Sequence, residues 1–509
     1  MNVANEEAEG QGAGSRGDCD EITGLKLILN LSEGTINKAI ATGNYTKLSS
    51  IHHDAWIISK LYLFIQEYFV SPLGNCRQHL VNQTVPRMRH LPQLIAIAFP
   101  IIGLYACFSG YSATKRQIPE TQPQVHINQP LSDSDKSALF LAALPTNIKN
   151  RQLLAESWQS YRRRFIQSDG RVIDFEASDR STSEGQAYAM LRAVFINDAD
   201  TFALTLNWSE NNLQRQQNGQ RKDSLWAWKW GRNSEGKWGS IDGNFASDGD
   251  IDAITALILA SRRWERPEYL ELAKTKLRDL WNLSTAVGTG GKRYLLPGPA
   301  SAFIPNSSTL YLNPSYLSPY AFRLFAQVDK ERNWLSLVNT SYEILEQSTQ
   351  LSPVGLPSDW VALDIPTGKF TALPSSSPLS TLYSFDAYRV WWRISLDAAW
   401  FNEPKAKRYL RSSTKYLEKL WREQSRLPAR INLQGKSLVD YEATSQYAML
   451  YAAWRIVNPK LGEQVLVKKI LPQYQNGIWG DHSAYYTQNL AWLGLISPDA
   501  MPQQLLKTK

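Results

Sequence analysis

The sequence predicts an all-α protein whose helical hairpins close into an inner and an outer ring. Three observations carry that expectation. Twelve segments after Pro145 repeat apolar residues at helical spacing, alternating β-branched runs are few, and the segments follow one another in direct succession. They fall near 151–166, 184–197, 200–214, 250–264, 267–283, 314–327, 331–349, 384–400, 404–424, 440–457, 461–471 and 482–495. Twelve helices make six hairpins. Ring closure buries the apolar stripe of each helix and removes the remaining edge.

Composition narrows the function. Of 509 residues, 43% are hydrophobic and 20% charged, ordinary for a chain that buries a sizeable core. The 18 tryptophans and 23 tyrosines stand out, because a flat amphipathic ring is a platform for a sugar face as well as for packing. A net charge of +8 without a run of lysines and arginines leaves no nucleic-acid footprint. The three cysteines, Cys19, Cys76 and Cys107, all precede the helical region, so a disulfide framework and a CxxC zinc site are excluded, and without HExxH a zinc hydrolase loses its usual signature.

The N-terminal part divides into three. Residues 1–87 begin acidic and glycine-rich and form an extension with no assigned role. Residues 88–111 hold the uncharged stretch from Leu91 to Phe108 behind Arg87, Met88, Arg89 and His90, the pattern of a cleaved signal peptide or a signal anchor. With translation from Met88, the run Leu104, Tyr105, Ala106, Cys107 resembles a bacterial lipoprotein signal with Cys107 lipidated. Pro100 and Gly103 would kink a spanning helix there. The expected location is therefore secreted or periplasmic, with membrane or lipid attachment. Residues 112–145 read as a linker, and 146–505 as the catalytic domain.

Three long connections, 215–249, 284–313 and 350–383, are rich in Trp, Gly, Asn, Pro and Ser, and each precedes a candidate inner helix. They should gather at one end of the barrel, where long loops on a rigid scaffold carry function. Acids open three of the inner helices. Glu184 extends backwards the stripe made by Ala187, Met190, Leu191 and Val194, so it should point inward beside Gly185 and, being buried, favour its protonated form. Asp248 and Asp250 lie in Ala246-Ser247-Asp248-Gly249-Asp250-Ile251-Asp252, where Ser247 or Asp248 is the expected cap; the twelve-residue calcium-loop pattern is missing. Asp386 follows Ser384, another expected cap, and shares a helix face with Arg389. Acids facing one cleft supply what glycoside hydrolysis needs: one carboxylic acid to protonate the leaving oxygen, one carboxylate to activate water. No GxSxG nucleophile competes.

At SEGQAYAM (183–190) and ASDGD (246–250) the sequence resembles glycoside hydrolase family 8. LWAWKWG (225–231), LNPSYLSP (312–319), LPSDWV (356–361) and SFDAYRV (384–390) follow in the family's order, and the likeness covers roughly 150–500 with bacterial cellulose-synthase-associated endoglucanases as the nearest group. The resemblance implies an (α/α)6 barrel and inverting cleavage of β-1,4-glycosidic bonds, without metal or cofactor. It implies Glu184 as general acid, Asp386 as general base, and Asp248 as the aspartate that binds and helps distort the sugar at the cleavage point. Arg389 would orient Asp386 or a sugar hydroxyl, Trp228, Trp230 and Tyr316 are stacking candidates, and Asp250 belongs to the same binding motif. Each tryptophan taken alone serves core packing equally well. Two departures stand out: Ala253-Ile254 inverts the usual order, and Phe385 stands where the family commonly has tyrosine.

The expected activity is endo-1,4-β-glucanase on cellulose, with mixed-linkage glucan, xylan and chitosan as alternative substrates. A monomer acting on polysaccharide, associated with a cellulose synthase, is the expected setting. A non-catalytic glycan-binding or scaffold subunit of a polysaccharide secretion system is the alternative of a different class. A helical-barrel lyase would need a proton-abstracting Tyr, His or Lys and basic groups against a uronate.

Overall fold

The computed structural model describes residues 146–507. The N-terminal extension, the signal or anchor segment and the linker at 112–145 lie outside them. The described chain is an (α/α)6 barrel. Helices α1 (Thr146–Phe165), α2 (Ser183–Ile196), α3 (Ala199–Asn212), α4 (Ser247–Trp264) and α5 (Pro267–Leu283) come first, followed by the short α6 (Ala300–Phe303). Then come α7 (Pro319–Val328), α8 (Trp334–Thr349), α9 (Phe385–Trp400), α10 (Pro404–Ser413), α11 (Lys415–Gln424), α12 (Thr444–Val457), α13 (Pro459–Val465), α14 (Tyr485–Leu495) and the short α15 (Gln503–Leu506).

The inner ring is α2, α4, α7, α9, α12 and α14, each packed on the next and α14 returning to α2. Outer partners are α3, α5, α8, α10 with α11, and α13, while α1 backs α14. The division follows from side chains. Every residue of α4 from Ser247 to Ser261 is buried, as a helix surrounded on all sides requires, whereas α5 buries only Tyr269, Ala273, Lys276, Leu277 and Leu280. Inner helices approach closely through small residues. A Cβ on Gly494 of α14 would lie 2.3 Å from the Ala448 carbonyl oxygen of α12. No helix among the described residues is long and apolar enough to cross a membrane.

Some expected boundaries moved, for local reasons. The expected helix at 314–327 begins only at Pro319, because a residue preceding proline is kept out of the helical region; Pro314–Tyr316 forms a separate 3-10 turn. The expected 404–424 helix breaks at Thr414, and the last segment of 461–471 is a π turn, Leu466–Ile470. The connections are not bare loops. They hold short antiparallel pairs: β1 (Ser181–Thr182) with β4 (Lys229–Arg232) and β5 (Trp238–Asp242), β2 (Gln214–Gln217) with β3 (Gln220–Trp226), β6 (Thr285–Val287) with β7 (Arg293–Leu295), and β8 (Thr309–Leu312) with β9 (Val361–Asp364) and β10 (Phe370–Thr371). Pieces this short show too little alternation to read from sequence.

Candidate active site

A cleft of about 380 Å³ opens where inner helices begin. Glu184 enters it from α2, Asp248 from α4, Asp386 and Arg389 from α9, and Tyr485 and Tyr486 from α14; Trp228 and Tyr316 come from the connections. Local structure fixes each mouth. Thr182 caps α2 by accepting the Gly185 N–H at 3.0 Å, and the Ser183 N–H donates to the Trp228 carbonyl at 3.1 Å, tying the acid helix to the tryptophan loop. A Cβ on Gly249 would sit 2.6 Å from Ser183 Oγ and 3.0 Å from the Glu184 nitrogen. That close approach of α4 to α2 brings Asp248 beside Glu184.

One guanidinium joins the three acids. Arg389 Nη1 donates to Glu184 Oε2 at 2.5 Å and to Asp248 Oδ2 at 2.9 Å, while Nη2 donates to Asp386 Oδ1 at 2.6 Å and to Ser315 Oγ at 3.0 Å. The expected i, i+3 pair of Asp386 and Arg389 is thus one spoke of a hub. Only a planar fork can hold carboxylates on both arms at once. Exposure differs among them: the side chains of Asp248 and Arg389 are 3% and 2% exposed, Glu184 18% and Asp386 32%. Asp386 also accepts from Asn313 Nδ2 at 3.1 Å, and Glu184 Oε1 from the Tyr485 hydroxyl at 3.2 Å. Burial pushes the Glu184 carboxyl up to about 7; Arg389 opposes this, the charges of Asp248 and Asp386 add to it, and the Tyr485 hydrogen bond opposes it. Glu184 can therefore hold a proton near neutrality.

Below this hub lies a second rung. Asp252 and Arg393, each one turn further along α4 and α9, form a bidentate pair at 2.7 and 2.8 Å with both side chains fully buried. Asp248, Asp250 and Asp252 do not converge on one point. Asp248 meets Arg389 and Asp252 meets Arg393, while Asp250 turns to the other side and accepts the Trp226 N–H at 3.1 Å. Asp250 is therefore buried behind the cleft rather than in it. Its burial pushes its carboxyl up to about 7 against the pull of Lys276 and the Trp226 hydrogen bond.

Trp230 is likewise not brought into the cleft. Its ring stacks on Trp238 with centroids 5.0 Å apart and lies edge-on to Trp208, with the Arg171 guanidinium 4.5 Å from its centre. Neither expected side-chain cap forms. The N-cap of α4 is Ala246, and Ser384 leaves the first turn of α9 uncapped by its own side chain. Sequence reasoning passed over Asn313, Ser315, Asp359, Tyr485 and Tyr486. The first three stood inside LNPSYLSP and LPSDWV; the tyrosine pair at 485–486 gave no signal of its own. The Asp252–Arg393 rung was legible as matching i, i+4 spacings in two helices.

The family model described as glycosyl hydrolases family 8 matches residues 135–493. An endoglucanase from Xanthomonas axonopodis pv. citri (strain 306) is 38% identical over 244 residues, which is 47% of this chain and 60% of that protein. An endoglucanase from Escherichia coli (strain K12) is 32% identical over 241 residues, 47% of this chain and 62% of that one. The chain thus spans about 60% of the length of these curated relatives. The crystal structure of an endo-1,4-D-glucanase from Vibrio fischeri ES114 is similar with a TM-score of 0.56 at 25% identity, covering 67% of this chain and 93% of that one.

Proposed function

The chain belongs to glycosyl hydrolases family 8, and from that premise we propose that it is an endo-acting glycoside hydrolase that cleaves β-1,4 bonds of a glucan, cellulose foremost, with inversion. Glu184 is the general acid and protonates the glycosidic oxygen as the bond to the anomeric carbon breaks. Asp386, the most exposed of the three carboxyls, takes a proton from the water that attacks that carbon from the opposite face. Asp248 holds the sugar at the point of cleavage, and Arg389 keeps the three carboxyls in register. Trp228 and Tyr316 offer ring faces to neighbouring sugars. The single observation that supports this reading most is the meeting of three sequence-distant acids on one arginine, with burial pushing the Glu184 carboxyl up to about 7.

The test is reducing-end release from a soluble β-1,4-glucan by the purified chain and by Glu184→Gln and Asp386→Asn. Each variant should lose turnover by a factor on the order of 10² to 10⁴ while still binding glucan. Binding without release of ends by the unaltered protein would assign it instead to a non-catalytic glycan-binding subunit. A panel of cellulose, mixed-linkage glucan, xylan and chitosan ranks substrates. Export and attachment through residues 88–111, action as a monomer and work beside a cellulose synthase belong to the same proposal. Cell fractionation, the intact mass of the mature N-terminus and polymer output of a deletion strain test them.

A further inference from the structure

Helix α9 carries Asp386, and its first turn is held from outside. Asp359, at a bend in the connection before β9, accepts the Ser384 N–H at 3.1 Å and the Ala387 N–H at 2.8 Å on Oδ1, and its Oδ2 meets the Ser384 hydroxyl at 2.6 Å. This does for α9 what its own N-cap side chain does not. Asp359 is itself fixed, buried at 8% exposure with its N–H donating to the Leu382 carbonyl at 2.7 Å. Immediately before Asp386, the Phe385 carbonyl accepts the Tyr486 hydroxyl at 2.7 Å. The backbone on both flanks of Asp386 is therefore pinned, by Asp359 and by Tyr486. Trp360, the next residue, stacks on Phe303 with ring planes 6° apart and tilts against Tyr316 in the cleft.

We propose that Asp359 is a positioning residue for Asp386: its carboxyl sets where the first turn of α9 lies, and so where the proposed base points. This rests on the reading of Asp386 as base. The charged and titratable groups around Asp386 are Arg389 on its own helix, Glu184 from α2, Asp248 from α4, Tyr316, Tyr486 from α14 and Asp359 itself; Asp359 in turn faces Asp386, Tyr383 and Tyr388. Burial, and then the charge of Asp386, pushes the Asp359 carboxyl up to about 7 against its hydrogen bonds from Ser384 and Ala387. The geometry survives either protonation state. A neutral group keeps Oδ1 as acceptor for both N–H groups, and the Ser384 hydroxyl reverses to accept. An asparagine can make the same three bonds, and an alanine none.

Four variants in the full chain test this: Asp359→Asn, Asp359→Ala, Ser384→Ala and Asp386→Asn. Asp359→Ala should lose kcat about 100-fold, the scale of a misplacement near 1 Å, with KM within about threefold, because the sugar contacts on α2 and α4 are untouched. Asp359→Asn should keep kcat within about threefold, and Ser384→Ala should fall between the two. Wild-type kcat in Asp359→Ala, kcat and KM moving together, or Asp359→Asn failing as badly as Asp359→Ala overturns the proposal. Should Asp359→Ala not fold, Ser384→Ala decides: a lowered kcat at constant KM supports it and an unchanged kcat overturns it. Full turnover in Asp386→Asn would instead remove the base assignment.

Discussion

Raising the pH through 7 should switch the enzyme off at Glu184. A general acid works only when protonated, and this carboxyl is pushed from its ordinary 4.5 to about 7. At pH 7 about half of the molecules would then carry the proton, against roughly 0.3% for an unperturbed carboxyl, so the buried setting multiplies the working form about 150-fold. Above the shifted value kcat/KM should fall tenfold per pH unit. Initial rates of reducing-end release from an uncharged soluble cellulose ether, measured well below KM between pH 4 and 9, report the limb in the free enzyme. Tyr485→Phe gives the sign a second test. The Tyr485 hydroxyl donates to Glu184 and favours the charged form, so its removal should move the limb to higher pH by a few tenths of a unit to one unit. An alkaline limb below pH 5.5 in the unaltered enzyme, or a shift to lower pH in Tyr485→Phe, would refute the reasoning.

Other substitutions separate the cleft from the scaffold. Trp228→Ala should raise KM about 3- to 10-fold through loss of a stacking face, whereas Trp230→Ala, whose ring packs on Trp238 and Trp208, should lower the melting temperature and leave KM alone. Gly249→Ala should cost about 1–3 kcal/mol in urea unfolding and lower kcat at least about 10-fold, since the new Cβ collides with Ser183 Oγ and crowds the Glu184 nitrogen. Asp252→Asn leaves Arg393 buried without its carboxylate and should cost about 3–5 kcal/mol. The double change Asp252→Leu with Arg393→Met should recover much of that loss, by the same unfolding curves.

The barrel was legible because each inner and outer helix keeps its own apolar pattern, so twelve segments could be placed within a few residues. Proline chemistry at 314 and 319, and the break at Thr414, moved boundaries that periodicity alone does not mark. Glu184, Asp248 and Asp386 could be found because each sits in the first turn of an apolar inner helix, where the helix mouths line the cleft. Which way Asp250 turned could not be read. Its position two residues from Asp248 leaves the choice to the packing of the strand that ends at Trp226. The same limit hid Asp359 and Asn313, whose partners lie 28 and 73 residues away in the chain. Trp230 stands two residues after Trp228, inside the strand that begins at Lys229 and past a bulge between Lys229 and Trp230, a backbone irregularity with no composition of its own.

The most direct measurement is the configuration of the first sugar end released, followed by proton NMR as short β-1,4-gluco-oligosaccharides are cut. Water attacking opposite the leaving oxygen, with Asp386 as base and Glu184 as acid, gives the α-anomer first, before mutarotation mixes the two. First appearance of the β-anomer, or the same α-product formed at full rate by Glu184→Gln, would contradict the account.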